Sequence, residues 1–274
     1  YSRFLAGFVL VSVWSCLRYD DSPGYNPSKI ERRGVFYAMP LDRTKTSGRT
    51  KAKQEAALRY RANVSGTEWV TTWMELLRHP SFDFVRDYLL PLPAAGLNAV
   101  KPKIAEAADV SSMVRALLES LRMPVSVRRK RDRRLVWQPG PRQLMPAGYA
   151  DAFTNQSPRK TMISLASPLP GVQRDRLDLL GKWAKSASLV YDQSIGQVIA
   201  GLQVLVTEAA DGVGAYYSEH DLAGKITLFL SERFGKDAEE VKGNVEAFMI
   251  DRVAAVFTPS VSSEPLEMPD VSNS

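Results

Sequence analysis

Cysteine is nearly absent. The 274-residue chain has one, Cys16, which excludes a disulfide framework and any cysteine-rich metal site. Histidine is almost as scarce. His79 and His220 lie far apart, so no H-x-x-x-H metal pair is present. No metal or cofactor is expected. Long apolar runs are missing as well. The longest, Phe4 to Leu17, covers 14 residues, against the roughly 20 that a bilayer span requires. Only Arg3 flanks it before, and no small-residue cleavage site follows, unlike a secretory signal. It reads as a helix buried on all sides. No membrane partner is expected, and the setting is expected to be intracellular. Internal repeats are lacking. So is any acidic excess: Lys and Arg number 36 against 30 Asp and Glu, a net charge of +6. That balance fits a polyanion partner without requiring one. The length suits about two domains, or one with appendages. The chain opens at Tyr1 rather than Met and is read as a fragment or a processed product.

The rest of the chain reads as mostly helix with one small antiparallel sheet. The first helix should stop at the break Asp20-Asp21-Ser22-Pro23-Gly24. Val35 to Leu41 is short, β-branched and aromatic, and reads as a strand. Ala56 to Val64 reads as its return, with the basic loop Arg43-Thr44-Lys45-Thr46-Ser47-Gly48 between them. Ser65 to Glu68 has capping-box spacing and should start a helix through Leu77. Pro91 to Pro102 reads as a connection. Met113, Val114, Leu117, Leu118 and Leu121 fall at helical spacing within Ser111–Arg122. The basic run Arg128–Arg134 follows, then Pro- and Gly-rich sequence to Gly148. Ser157 reads as a helix N-cap with Pro158 at the first helical position. A short helix from Gln173 should end at Gly181. Ile195, Val198, Ile199, Leu202, Leu205 and Val206 form one apolar helix face. Two more helices are expected near Asp221–Arg233 and Asp237–Phe257, then a disordered, Ser-, Pro- and acid-rich tail from 258 to 274.

Gln156-Ser157-Pro158-Arg159, Leu180-Gly181-Lys182 and Tyr191 follow one another in order. Lys182 stands 23 residues after Arg159, and Tyr191 stands nine after Lys182. This arrangement resembles the catalytic core of the tyrosine recombinases, the phage integrase family. There a His-x-x-Arg motif opens a helix, a Leu-Gly-(His or Trp) follows, and a nucleophilic Tyr comes nine residues later. Upstream, Leu17-Arg18-Tyr19-Asp20-Asp21 is similar to the family's first catalytic Arg with an acid three residues on. Leu41 to Gly48 is similar to the hairpin that presents its Lys. The similarity spans about residues 1–206, and order and spacing carry it, since each motif alone is short. It implies an α+β, mainly helical fold: a recombinase catalytic domain over 1–206, a helical extension over 207–257 and the tail. The family's N-terminal core-binding domain is not in this sequence.

The resemblance implies a function: site-specific recombination or integration of a mobile element through DNA strand cleavage and rejoining. The Tyr191 hydroxyl would attack a phosphodiester, leaving a 3′-phosphotyrosine and a free 5′-hydroxyl. Arg18 and Arg159 would clamp the pentavalent phosphate with their planar forks. Helix N-terminal N–H groups would help Arg159. Lys45 would protonate the leaving oxygen. Asp21 would buttress the site, and Trp183 would pack beside it. Gln156 stands where the family has His, and Lys182 where it has His or Trp. An amide holds an oxygen but takes no proton at neutral pH, so activity is expected to be reduced or lost. Arg43, Arg128, Arg129, Lys130 and Arg131 are candidate DNA-backbone contacts. Double-stranded DNA and a homotetramer on it are the implied partners. Taken singly, Arg18 also reads as a helix-end residue, Lys45 as a solvated hairpin lysine and Tyr191 as a half-buried helix aromatic. Two alternatives therefore stand: a catalytically inactive DNA-binding relic, and an unrelated helical interaction scaffold.

Overall fold

The structure, a computed structural model, describes residues 1–41, 54–60, 69–128, 135–145, 148–181, 192–210, 219–235, 237 and 239–246. It is a mainly helical α+β protein with small antiparallel sheets. Packing divides it into two compact units that interleave along the chain. One comprises Tyr1–Leu117 and Asp151–Ser218, the other Leu118–Ala150 and Glu219–Ser274.

The first unit is built on the apolar run. Helix α1 (Ser2–Trp14) buries Phe4, Leu5, Phe8, Val11 and Trp14. Helix α2 (Trp69–Leu77) packs on it through Trp73. The Trp73 indole N–H donates to the Phe4 carbonyl at 3.2 Å. Phe4 stacks on Phe82 with ring centroids 4.5 Å apart. No side chain but glycine fits at Gly7, where an added Cβ would lie 1.8 Å from Trp73 Cδ1. Strands β1 (Glu31–Arg33), β2 (Phe36–Leu41) and β3 (Gln54–Arg59) form an antiparallel sheet in that order. Its edge strand β1 is exposed and fully charged, which discourages pairing with other chains. Helix α4 (Ser157–Ala166) lies on α1. Helices α5 (Arg174–Leu180) and α6 (Asp192–Ala210) complete the unit, with α6 against β2 and β3.

The strand return, the helix ends and the α6 face follow the sequence in outline. The details differ in four places. Pro91–Pro102 is more than a connection: β4 (Pro91–Pro93) pairs antiparallel with β5 (Val100–Ile104). Helix α3 (Ala107–Ser120) starts earlier than the apolar spacing suggests. In the second unit, β6 (Arg122–Arg128) and β7 (Leu135–Gln143) form a further hairpin where Pro- and Gly-rich loop is expected. There are thus three small sheets among the described residues. A two-stranded ribbon tolerates Pro139 and Pro141 because each strand has an outward, unpaired edge. Finally, Gln156 and not Ser157 is the N-cap of α4, which puts Pro158 second in the helix. Helix α7 (Glu219–Phe234) belongs to the second unit. A last helical stretch is described over 239–246.

Among the described residues no helix is long and apolar enough to cross a membrane. The loop bearing Arg43 and Lys45, the capping box Ser65–Glu68 and the tail from 258 lie outside the described residues.

Candidate functional site

Arg18 is placed by the way α1 ends. Leu17 N–H bonds back to the Ser12 carbonyl at 3.0 Å, and Cys16 N–H to that of Val13 at 3.3 Å. These two bonds make a Schellman cap. Its left-handed position is usually glycine, but Cys16 holds it here with φ of 50°. A side chain in that conformation is strained by about 1 kcal/mol or more. The cap turns the chain sharply, so Arg18 leaves α1 at once and enters the 3-10 turn Tyr19–Gly24. Asp21, buried in that turn at 6% exposure, accepts the Arg18 backbone N–H through Oδ2 at 3.3 Å. Its own N–H returns to the Arg18 carbonyl at 3.0 Å.

Arg159 reaches the same place from the other half of the chain. It sits in the first turn of α4, beyond the Gln156 cap, and is only 5% exposed. Its guanidinium donates to the Gly181 carbonyl. Gly181 caps α5, so the acceptor is one of the free carbonyls that end a helix, where the dipole favours a cation. Burial lowers the Arg159 pKa from its ordinary value, and the Arg18 charge beside it lowers it further. Asp21 and Cys16 act in the opposite direction. Two cations and one carboxylate, drawn from segments about 140 residues apart, therefore share one electrostatic neighbourhood. A pair of close guanidinium groups repel each other and gain from an anion between them.

Gln156 is exposed at the head of α4. Its backbone N–H bonds the Thr154 hydroxyl at 3.3 Å. Lys45, Arg43, Lys182, Trp183, Tyr191, Arg129, Lys130 and Arg131 lie outside the described residues. Arg128 ends strand β6 in the second unit, while Arg18, Asp21, Gln156 and Arg159 belong to the first. The Gly181 carbonyl is a participant that residue matching does not name, because a backbone acceptor has no side-chain signature. Among the described residues no three His, Cys, Asp or Glu side chains cluster to hold a metal. Searches of family models, curated proteins and solved structures find nothing that matches this chain.

Proposed function

We propose that the chain is the catalytic domain of a DNA strand transferase of the tyrosine recombinase type. One observation supports this reading: the charges of Arg18 and Asp21 act on Arg159, distant in sequence, whose guanidinium donates to the Gly181 carbonyl. Phosphoryl transfer without a metal needs such a cationic clamp to hold the charge spreading over the phosphate. In this reading Tyr191 attacks, Lys45 donates the leaving-group proton, and Gln156 and Lys182 hold non-bridging oxygens. Duplex DNA is the substrate, and a tetramer assembles on it. The test is covalent trapping. The protein is incubated with labelled duplex from its own locus and quenched in detergent, with Tyr191→Phe as control. Protein-linked label that vanishes in Tyr191→Phe is the expected result. Absence of any adduct, with both proteins folded, removes the catalytic reading.

A second reading is favoured by the burial of Arg159 and its bond to the Gly181 carbonyl. Both also suit an arginine kept to fasten α4 to the end of α5. Together with Gln156 in place of the family's His and Lys182 in place of its His or Trp, this describes an inactive relic that still binds DNA. Salt-sensitive duplex binding without an adduct is its signature.

A further inference from the structure

A second feature of the first unit stands apart from the Arg18–Arg159 site. The turn Asn26–Ile30, the end of α2 and the segment Arg78–Arg86 enclose a cavity of about 330 Å³. That is enough for a small organic ligand. Part of its wall is apolar, from Ile30, Met74, Leu77 and Phe84. Val85 at its edge is fully exposed.

The charged wall is Arg78, Asp83 and Arg86. Arg78 and Asp83 are exposed, whereas Arg86 is only 7% exposed. Arg86 is held from three sides. Its Nε donates to the Tyr88 carbonyl at 3.1 Å, and its Nη1 to those of Phe82 and Phe84. Its guanidinium carbon lies 4.7 Å from the centre of the Phe84 ring. These contacts orient the group, the charge of the exposed Asp83 offsets only part of the effect of its burial, and among the described residues Nη2 is buried without a hydrogen-bond partner. A buried cation with an orphaned donor is costly, and a bound anion relieves both penalties together.

We infer that this cavity binds a carboxylate carried on an apolar body, its charge facing Arg86 and its hydrocarbon against Met74, Leu77 and Phe84. Two cations and one carboxylate line the space, so a single negative charge balances it better than a dianion. The inference does not depend on the recombinase reading. The bound group is either a free carboxylic acid or the C-terminus of a peptide, since both offer the same chemistry.

Ligand-observed NMR on the whole chain tests it with two matched pairs. Hexanoate against hexanamide represents the free acid. N-acetylleucine against N-acetylleucinamide represents the peptide end. One or both acids should bind saturably, and neither amide should. The exposed variants decide the site without disturbing the Arg86 contacts. Asp83→Asn should tighten acid binding by about twofold to fivefold, the scale of a screened surface charge, and Arg78→Gln should weaken it by a similar factor. Val85→Asp should also weaken it. Which acid binds tighter identifies the source. Equal binding of acid and amide, no binding by either acid, or the opposite response to Asp83→Asn overturns the inference.

Discussion

Arg159 keeps its charge where burial opposes it. The Gly181 carbonyl accepts from its guanidinium, and Asp21 acts against the repulsion of Arg18. Arg159→Lys therefore separates charge from geometry. Lysine keeps the cation but has no planar fork. The loss of a charge-assisted hydrogen bond should lower stability by about 1.5–3 kcal/mol in urea unfolding. If Arg159 also touches the reacting phosphate, adduct yield per folded molecule should fall by about 10²–10³-fold. An unchanged yield with lowered stability would leave it a fastening residue only. At this scale the sequence links Arg18 to Arg159 only through a resemblance of short motifs, whereas the structure shows that the Arg18 charge acts on Arg159. The carbonyl of Gly181 was not, since a backbone acceptor is invisible to residue matching. Nor was the left-handed Cys16, since glycine is the residue expected at that cap.

Packing between elements turns on one glycine and one glutamine. An Ala at an exposed helix position gains about 1 kcal/mol over Gly. At Gly7 that gain is overwhelmed, since its Cβ would overlap the Trp73 ring at 1.8 Å. Gly7→Ala should destabilise by about 3 kcal/mol or more, with α1 and α2 forced apart. A melting curve checks this, and a neutral result would mean that Trp73 swings away freely. Gln203 is wholly buried on α6. Its amide nitrogen donates to the carbonyls of Trp14 at 2.8 Å and Ala57 at 3.0 Å. Its oxygen accepts the Arg59 N–H at 2.7 Å. One side chain thus ties the end of α1 to β3 and α6. Gln203→Leu is close in volume but strands the Trp14 carbonyl and the Arg59 N–H, and leaves the Ala57 carbonyl only the Ser15 hydroxyl at 3.3 Å. At about 1–3 kcal/mol for a buried orphan, a loss of about 2 kcal/mol or more is expected in chemical unfolding, far more than for an exposed Gln on the same helix. The sequence showed an apolar face here and hid its polar centre. Leu205, placed on that face by spacing, is exposed at 37%. Ile199, Leu202, Gln203 and Val206 form the buried stripe instead. The two hairpins were missed for another reason. Proline depresses strand propensity, yet in a two-stranded ribbon its missing N–H can point outward. Local composition cannot reveal which side a strand leaves unpaired.

The molecule as a whole was only half legible. Its mainly helical character follows from periodicity, but its two units interleave. Strands β6 and β7 group with α7 and residues 239–246, while α4, α5 and α6 group with α1 and α2. Linear shifts in composition carry no trace of such an exchange, because it is made by long-range contacts. Stability against pH is a property at this scale, and here the first unit's tyrosines govern it at the alkaline end. Tyr25 is fully buried. Burial pushes its phenol well up, and the charges of Asp21 and Glu55 add to this. Tyr19 is pushed up to about 12 by burial, then by Asp109, Glu106 and Asp20. Its hydroxyl donates to the Ala105 carbonyl, a bond that needs the neutral phenol. An unfolded chain releases these protons near pH 10. The folded one holds them to higher pH, so above about pH 10 it binds more protons than the unfolded one and stability falls as pH rises. This contribution is fully present below pH 10. For Tyr19 it declines from there to about 12, and for Tyr25 it continues to decline beyond. Urea midpoints measured from about pH 8 to about pH 12 should be flat at first and then drop. Tyr19→Phe should lower stability at pH 8 through its lost hydrogen bond yet make the alkaline drop shallower. A drop of equal slope in that variant would show that Tyr19 ionises in the folded protein as freely as in the unfolded one, and that Tyr25 and Tyr1, whose phenols burial also pushes up, set the alkaline limit.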